Sequence, residues 1–308
     1  MNGIDRTTFI GGSDVAAILG VSPWKSAFRL YQEKIGAFVE EVTPAKQRIF
    51  DRGHRWEPVV AEMLIDELID RGHDVEIVVR RARHIDAEHP FLAAEIDLDL
   101  VVDGEAVNGE IKTVHPFAAK EWGEEGTDEI PLHYTAQVMH GLMVRQRNTA
   151  IVAALIGVDD LRIHEVRRDE ETIAAIRAKE IEFWRRVQER DAPPAETADD
   201  VKWLYAMDAG EVIEADNAIV ILVDYMREKK KALKHYETAV EHLATQIKLA
   251  MGNAATLMYE GRTIATWKNN KPSRKTDWQA VAGELNAPQK LIERHTKIVA
   301  GNRPLILK

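Results

Sequence analysis

The sequence predicts a mixed α/β domain with a helical, basic extension behind it, and three observations carry that expectation. Residues 44–71 repeat apolar side chains at helical spacing through Val59, Val60, Met63, Leu64 and Leu68. Residues 75–114 change to alternating apolar runs broken by a turn, the period of strands. Past DAPPAETADD, where two prolines and four acids interrupt every periodicity, one helical pattern runs from 213 to 250.

Taken in order, GGSDVAAILGVS reads as a turn feeding a short helix, with Ser13 or Asp14 as N-cap and Gly20 closing it. SPWKSAFRLYQEKIG reads as a second helix with Pro23 near its first turn and Gly36 as its stop. After the helix at 44–71, VEIVVRRARHI and FLAAEIDLDLVV are strands, DGEAVN is a turn and GEIKTV is a third strand. Residues 131–147 return to helical spacing, TAIVAALIGV and LRIHEVRR are strands, and 169–190 is a helix. The expected boundaries are therefore a domain at 1–190, a linker at 191–200 and an extension at 201–308. In the extension, Leu233, Tyr236, Val240, Leu243, Ile247 and Ala250 stand three and four apart, a seam that wants a partner helix within the chain or in a homo-oligomer. GRTIATWK alternates like a strand, and KNNKPSRK is a basic loop.

With 308 residues and 45% hydrophobic content the chain is long enough for a packed core. The absence of cysteine excludes disulfides, thiolate zinc sites, iron–sulfur clusters and cysteine nucleophiles, and fits a reducing, cytoplasmic setting. No basic region followed by an apolar stretch opens MNGIDRTTFIGGSD, and no window reaches the eighteen or so apolar residues of a membrane span, so no membrane partner is expected. The net charge of −10 is unevenly spread: residues 225–308 carry 16 Lys and Arg against 7 Asp and Glu, which leaves −19 on residues 1–224. The basic tail fits a polyanion contact or a solvated helix face.

The stretch AAEIDLDLVVDGEAVNGEIKT is chemically unusual for a strand pair. Glu110 and Lys112 are two apart, so both project from one strand face, and a hairpin through DGEAVNG brings Asp97 beside Glu110. Neighbouring carboxylates repel and raise each other's pKa unless a cation lies between them. Oxygen ligands suit Mg²⁺, with Mn²⁺ as a substitute. Lys112 would then stand where it could orient or help deprotonate a water and stabilise charge on a phosphoryl oxygen. On spacing alone, an exposed salt-bridged hairpin remains the alternative. Histidines 84, 89, 115, 133 and 140 form no His-Glu-x-x-His pattern, and GIDRTTFIGG lacks the Gly-Lys-Ser/Thr of a phosphate loop.

Four blocks, IGGSDVAAILGVSPWKSAFRLYQEKIG, RGHRWEPVVAEML, AAEIDLDLVV with GEIKT, and PLHYTAQVMHGLMV, resemble in sequence and order the YqaJ-type viral recombinases, the family that includes phage lambda exonuclease. The resemblance covers about residues 6–150. It implies a PD-(D/E)xK restriction-endonuclease-like core, a central mixed β-sheet flanked by helices. It further implies a Mg²⁺-dependent exonuclease that degrades one strand of double-stranded DNA from a 5′ end, leaving 3′ overhangs for a single-strand annealing protein. By position, Asp97 and Glu110 resemble the metal ligands, Lys112 the catalytic lysine, and Glu57 the helical acid that completes the metal site. Gln137 resembles the helical glutamine beside the lysine, with Tyr134 one turn before it. Ser13 and Arg6 resemble the pair that holds a 5′-terminal phosphate. Asp99 departs from the pattern and is expected to support the metal site from behind or to serve as an alternative ligand. An endonuclease of the same fold and a non-catalytic DNA-binding scaffold are the competing readings.

Overall fold

In the computed structural model, which describes residues 5–39, 42–297 and 304–307, a short 3-10 turn at Arg6–Thr8 leads into β1 (Ile10–Gly11) and α1 (Gly12–Ile18). The N-cap of α1 is Gly11 rather than Ser13 or Asp14, and Asp14 reaches back to accept the Gly11 amide at 3.1 Å. Helix α2 (Ala27–Lys34) starts at Ser26, whose hydroxyl accepts from the Arg29 amide, and stops at Gly36, whose φ of +73° suits a residue without Cβ. The long α3 (Pro44–Asp70) tolerates an internal Pro58. Strands β2 (Val75–Ile85), β3 (Leu92–Val102) and β4 (Glu105–Val114) follow, then α4 (Leu132–Arg145), β5 (Thr149–Ile156), β6 (Asp160–Arg167) and α5 (Glu170–Glu189).

The β3–β4 hairpin is tighter than DGEAVN suggested. Asp103 (φ +51°) and Gly104 (φ +82°) make a two-residue turn, and Glu105–Asn108 already belong to the strand. Leu98 pairs with Gly109, so the next position on each strand sets Asp97 beside Glu110 as the spacing predicted.

The six strands form one mixed sheet. On one edge β3 pairs with β2 from Ala93 to Val102. On its other edge it pairs with β4 only from Leu98 onward, and with β1 only at Leu92 and Ala93. Residues 94–97 lie in the gap between β1 and β4, where the sheet opens. Strand β5 runs parallel to β4 after the α4 crossover, and β6 returns antiparallel to β5.

Each sheet face carries its own apolar cluster. Val152, Ala154 and Ile156 of β5 share one with Leu142 and Met143 of α4 and with residues of α1, α2 and α5. Ile151, Ala153 and Leu155 share the other with Val60, Leu64 and Leu68 of α3. The strand β3 changes phase between them: Leu92, Ala94 and Ile96 belong to the first cluster, Leu98 and Leu100 to the second. Asp97 sits at that break.

Helix α4 and helix α5 are joined by a buried ion pair. His140 and Glu180 are both fully enclosed, with His140 Nδ1 2.6 Å from Glu180 and Nε2 3.0 Å from the Ala93 carbonyl. Both ring nitrogens face acceptors, so both carry protons. Burial alone would lower the histidine pKa, but the Glu180 carboxylate and the carbonyl outweigh it and raise it above 6.5. Glu180→Ala is expected to cost about 3–5 kcal/mol, the scale for uncovering one member of a buried pair. A raised histidine pKa gives stability that is full below about 6.5 and lost as pH rises through the folded value. The gap between wild type and Glu180→Ala in urea unfolding should therefore shrink at alkaline pH; a gap under about 1 kcal/mol at pH 6 would reject the pair's role.

Of the expected linker at 191–200, residues 191–197 lie outside helix and strand, and the last three open a short helix. Asp200 accepts from Ser26 at 2.7 Å and Trp203 lies 5.8 Å from the ring of Phe28, so α6 (Ala198–Leu204) packs on the first unit. The chain divides instead into Met1–Leu204 and Tyr205–Lys308. The second unit holds α7 (Asn217–Met251), the hairpin β7 (Thr256–Tyr259) and β8 (Arg262–Thr266), and two short helices, α8 (Trp278–Glu284) and α9 (Gln289–His295). Of the closing GNRPLILK, residues 301–303 and 308 lie outside the described residues. Among the described residues no helix is long and apolar enough to cross a membrane.

Candidate active site

At the mouth of the gap between β1 and β4 lies a cleft of about 430 Å³. Arg6, Ser13, Glu57, Asp97, Glu110, Lys112, Tyr134 and Gln137 all line it. The β4 face supplies Asn108, Glu110 and Lys112 by strand alternation, while α4 presents Tyr134 and Gln137 one turn apart.

The centre is a short polar chain. Lys112 Nζ donates to Glu110 Oε1, and Gln137 Nε2 donates to the same oxygen at 2.5 Å. Gln137 Oε1 stands 3.4 Å from the lysine, and the Tyr134 ring lies 4.9 Å from Nζ. The Ile111 amide donates to Asp97 Oδ2 at 2.9 Å, which holds this carboxylate against β4. Loss of solvation and the adjacent Glu110 push the Asp97 carboxyl up to about 7. Burial would lower the Lys112 pKa, but Glu110 and Asp97 outweigh it and raise it, so the group stays an ammonium. One ammonium answers only one of two carboxylates. The oxygen donors and the charge left over fit a hard divalent cation held by Asp97 and Glu110.

Glu57 is brought to the same cleft but is already engaged. Its carboxylate receives Arg81 Nε at 2.5 Å and Nη2 at 2.7 Å, a two-pronged pair. Arg81 sits opposite Asp97 between the pairs Arg80–Leu98 and Ala82–Ile96, with φ at +57°. A non-glycine residue in that region stores roughly 1–2 kcal/mol of strain. Among the described residues no three Asp, Glu or His side chains converge as a ready metal cage.

Asp99, expected to support the metal site or to serve as an alternative ligand, is paired elsewhere. It is buried on the same β3 face, but Arg145 and Arg147 take its oxygens at 2.8 and 3.1 Å. It ties β3 to the end of α4 and does not line the cleft.

Arg6 and Ser13 do meet: Arg6 Nη2 donates to Ser13 Oγ at 2.7 Å, with the arginine side chain half exposed. Behind them Asp14 and Lys34 form a buried pair at 2.7 Å, and Lys34 also donates to the carbonyls of Arg6 and Phe9. Burial would raise the Asp14 pKa, but Lys34, Lys25 and Arg6 hold it low. That network fixes the loop carrying Arg6. Gly12 lets α1 approach α4, because a Cβ there would stand 3.0 Å from Gln137 Cγ and 3.6 Å from His140 Cδ2.

Sequence reasoning missed three residues. Asn108 is buried on the cleft wall with neither amide atom hydrogen-bonded, and the two-residue strand period from Glu110 would have found it. Glu180 interrupts the apolar series Ile173, Ile176, Phe183, Val187 on α5, a visible signal for a buried acid. Arg81 lies in an ordinary strand pattern with no such signal.

A mixed sheet that opens beside an aspartate, carries Glu-x-Lys on the adjoining strand and packs a helix on each face has the architecture of a PD-(D/E)xK-type domain. Residues 4–149 match the family model of the YqaJ-like viral recombinase domain. Over 183 residues the chain is 35% identical to the uncharacterized protein YqaJ of Bacillus subtilis (strain 168), a stretch covering 59% of this chain and 54% of that protein. The chain thus spans about half the length of this relative. Among solved structures, an alkaline exonuclease (LHK-Exo) from Laribacter hongkongensis aligns with 60% of this chain and 90% of its own, at 17% identity and a TM-score of 0.47. A phage related exonuclease from Haemophilus somnus 129PT aligns with 59% and 96%, at 15% identity and a TM-score of 0.37.

Proposed function

We propose that the first unit is a Mg²⁺-dependent deoxyribonuclease that removes one strand of duplex DNA from a 5′ end, with Mn²⁺ able to substitute. The observation that carries this reading is convergence: residues from six separate segments that the sequence singles out line one cleft. The match to a YqaJ-like viral recombinase domain supports a setting in phage-type recombination; in this reading the 3′ overhang passes to an annealing protein in the cytoplasm of a bacterial or phage-infected cell.

Asp97 and Glu110 would hold the cation, which would supply positive charge against the scissile phosphate. Lys112, kept protonated by its neighbours, donates toward the oxygen on which charge develops as water attacks phosphorus and the bond to O3′ breaks. Gln137 fixes Glu110 and Lys112 relative to each other through its two amide atoms. Arg6 and Ser13 bind the 5′-terminal phosphate, which sets which strand enters. Arg81 pairs with Glu57, which lines the cleft and would complete the metal site or contact its water shell.

Linear duplexes labelled at either end, with and without a 5′ phosphate, test this directly. Label should leave from 5′ ends, at least about tenfold faster with the phosphate present, if that contact is worth about 1.4 kcal/mol. Covalently closed circles should stay intact. Cleavage of closed circles would make the protein an endonuclease of the same fold. Salt-dependent DNA binding without cleavage in either cation would make it a scaffold.

A further inference from the structure

The helix α7 carries a longer apolar seam than the six positions from Leu233 to Ala250. Spacing of three and four continues unbroken back through Met226, Leu222 and Ile219, and only Lys229 interrupts the apolar character. At about 1.5 Å per residue the seam is about 48 Å long. A strict 3.5-residue repeat over more than four heptads is the pattern of a two-helix supercoil rather than of a helix lying on a sheet. Among the described residues nothing in the second unit covers it: Leu233 is 58% exposed, Tyr236 67%, Val240 65% and Leu243 57%.

We propose that α7 pairs with α7 of a second copy of this chain, antiparallel, in the register that opposes Leu233 and Tyr236. Charge decides both occupant and direction. In a parallel, in-register pair Lys229 would meet Lys229 of the second copy in the same layer of the seam. Its flanks would then set Tyr225 by Lys230 and Ala232 by Glu237, with no opposite charges facing. In the antiparallel register Lys229 faces Val240, Met226 faces Leu243 and Leu222 faces Ile247. One flank then sets Lys230 against Glu237 of the second copy, twice by symmetry. The other sets Ala232 against Ala239, small side chains that let the helices approach closely. The helix is therefore complementary to itself only when reversed.

The test uses the full chain. Light scattering after gel filtration should give twice the 34.8 kDa chain mass. Lys230→Glu and Glu237→Lys should each weaken the dimer at least about tenfold, and the double exchange should restore it. Because the chain has no cysteine, Met226→Cys and Leu243→Cys report direction cleanly. Neither variant should crosslink to itself on oxidation, whereas a mixture of the two should. Unchanged helical circular dichroism separates lost pairing from misfolding; if a charge variant fails to fold, the cysteine pair decides alone. A monomer at tens of micromolar, a three-chain mass, a dimer indifferent to the charge changes, or self-crosslinked Met226→Cys would each overturn the proposal.

Discussion

Lys112→Ala is expected to slow hydrolysis of duplex ends by about 10³-fold, within the 10²–10⁴ range for a positioned proton-donating or charge-stabilising group. Among the described residues the ammonium is the one cation paired with Glu110, and its removal leaves the phosphate's developing charge unanswered on that side. The fold should survive. The lysine side chain is 16% exposed, Gln137 still donates to Glu110, and Asp97 keeps the Ile111 amide. Single-turnover digestion, read beside a thermal melt within a few degrees of wild type, checks both halves. Wild-type turnover in the alanine variant would remove Lys112 from the mechanism. A melt lowered by tens of degrees would recast it as a structural residue.

Asp97→Asn should do the opposite to stability while also removing activity. The Asp97 carboxyl is raised from 3.8 to about 7 because it sits out of water beside Glu110. The associated stability is full below about 4 and is lost as pH rises to about 7, since the unfolded chain ionises first. A three-unit rise corresponds to about 4 kcal/mol of strain at pH 8 as an upper figure. With chelator present, wild type should therefore melt progressively lower from pH 5 to 8, and Asp97→Asn should be flatter and more stable at pH 8 by about 2 kcal/mol. Added Mg²⁺ should reverse the order, stabilising wild type by about 2.7 kcal/mol at a hundred times its dissociation constant and leaving Asp97→Asn unmoved. Its binding should weaken as pH falls below about 7, because the ligand must lose a proton. An Asn variant that melts below wild type at pH 8 without cation would show that the two carboxylates do not repel each other there.

Much of the fold was legible because each strand and helix announces itself locally. The period of two in AAEIDLDLVV and EAVNGEIKT placed Glu110 and Lys112 on one face, and the hairpin turn carried Asp97 to their side. The turn was read too long because Glu105 and Asn108 are poor strand formers, and pairing with β3 overrode that preference. The prolines of DAPPAETADD point to a linker, and nothing in that local pattern shows that Asp200 accepts the Ser26 hydroxyl and the amides of Glu196 and Thr197. Strand parity with Asp97 makes Asp99 a candidate supporting acid or alternative ligand. Parity is silent about Arg145, at the end of α4, and Arg147, just beyond it, which neutralise Asp99.

What the sequence by itself determined is the set of groups and their short-range order: the acids and the lysine two or thirteen residues apart, the α4 pair one turn apart, and the α7 heptads. These follow from the pitch of a helix and the pleat of a strand, which depend on neighbours in the chain. What only the tertiary structure decided is which charges meet. Arg81 gripping Glu57, Arg145 claiming Asp99, Glu180 meeting His140 and the opening of the sheet at residues 94–97 all join segments far apart in sequence. Coulomb energy depends on distance and burial, and neither exists until the sheet closes around its helices.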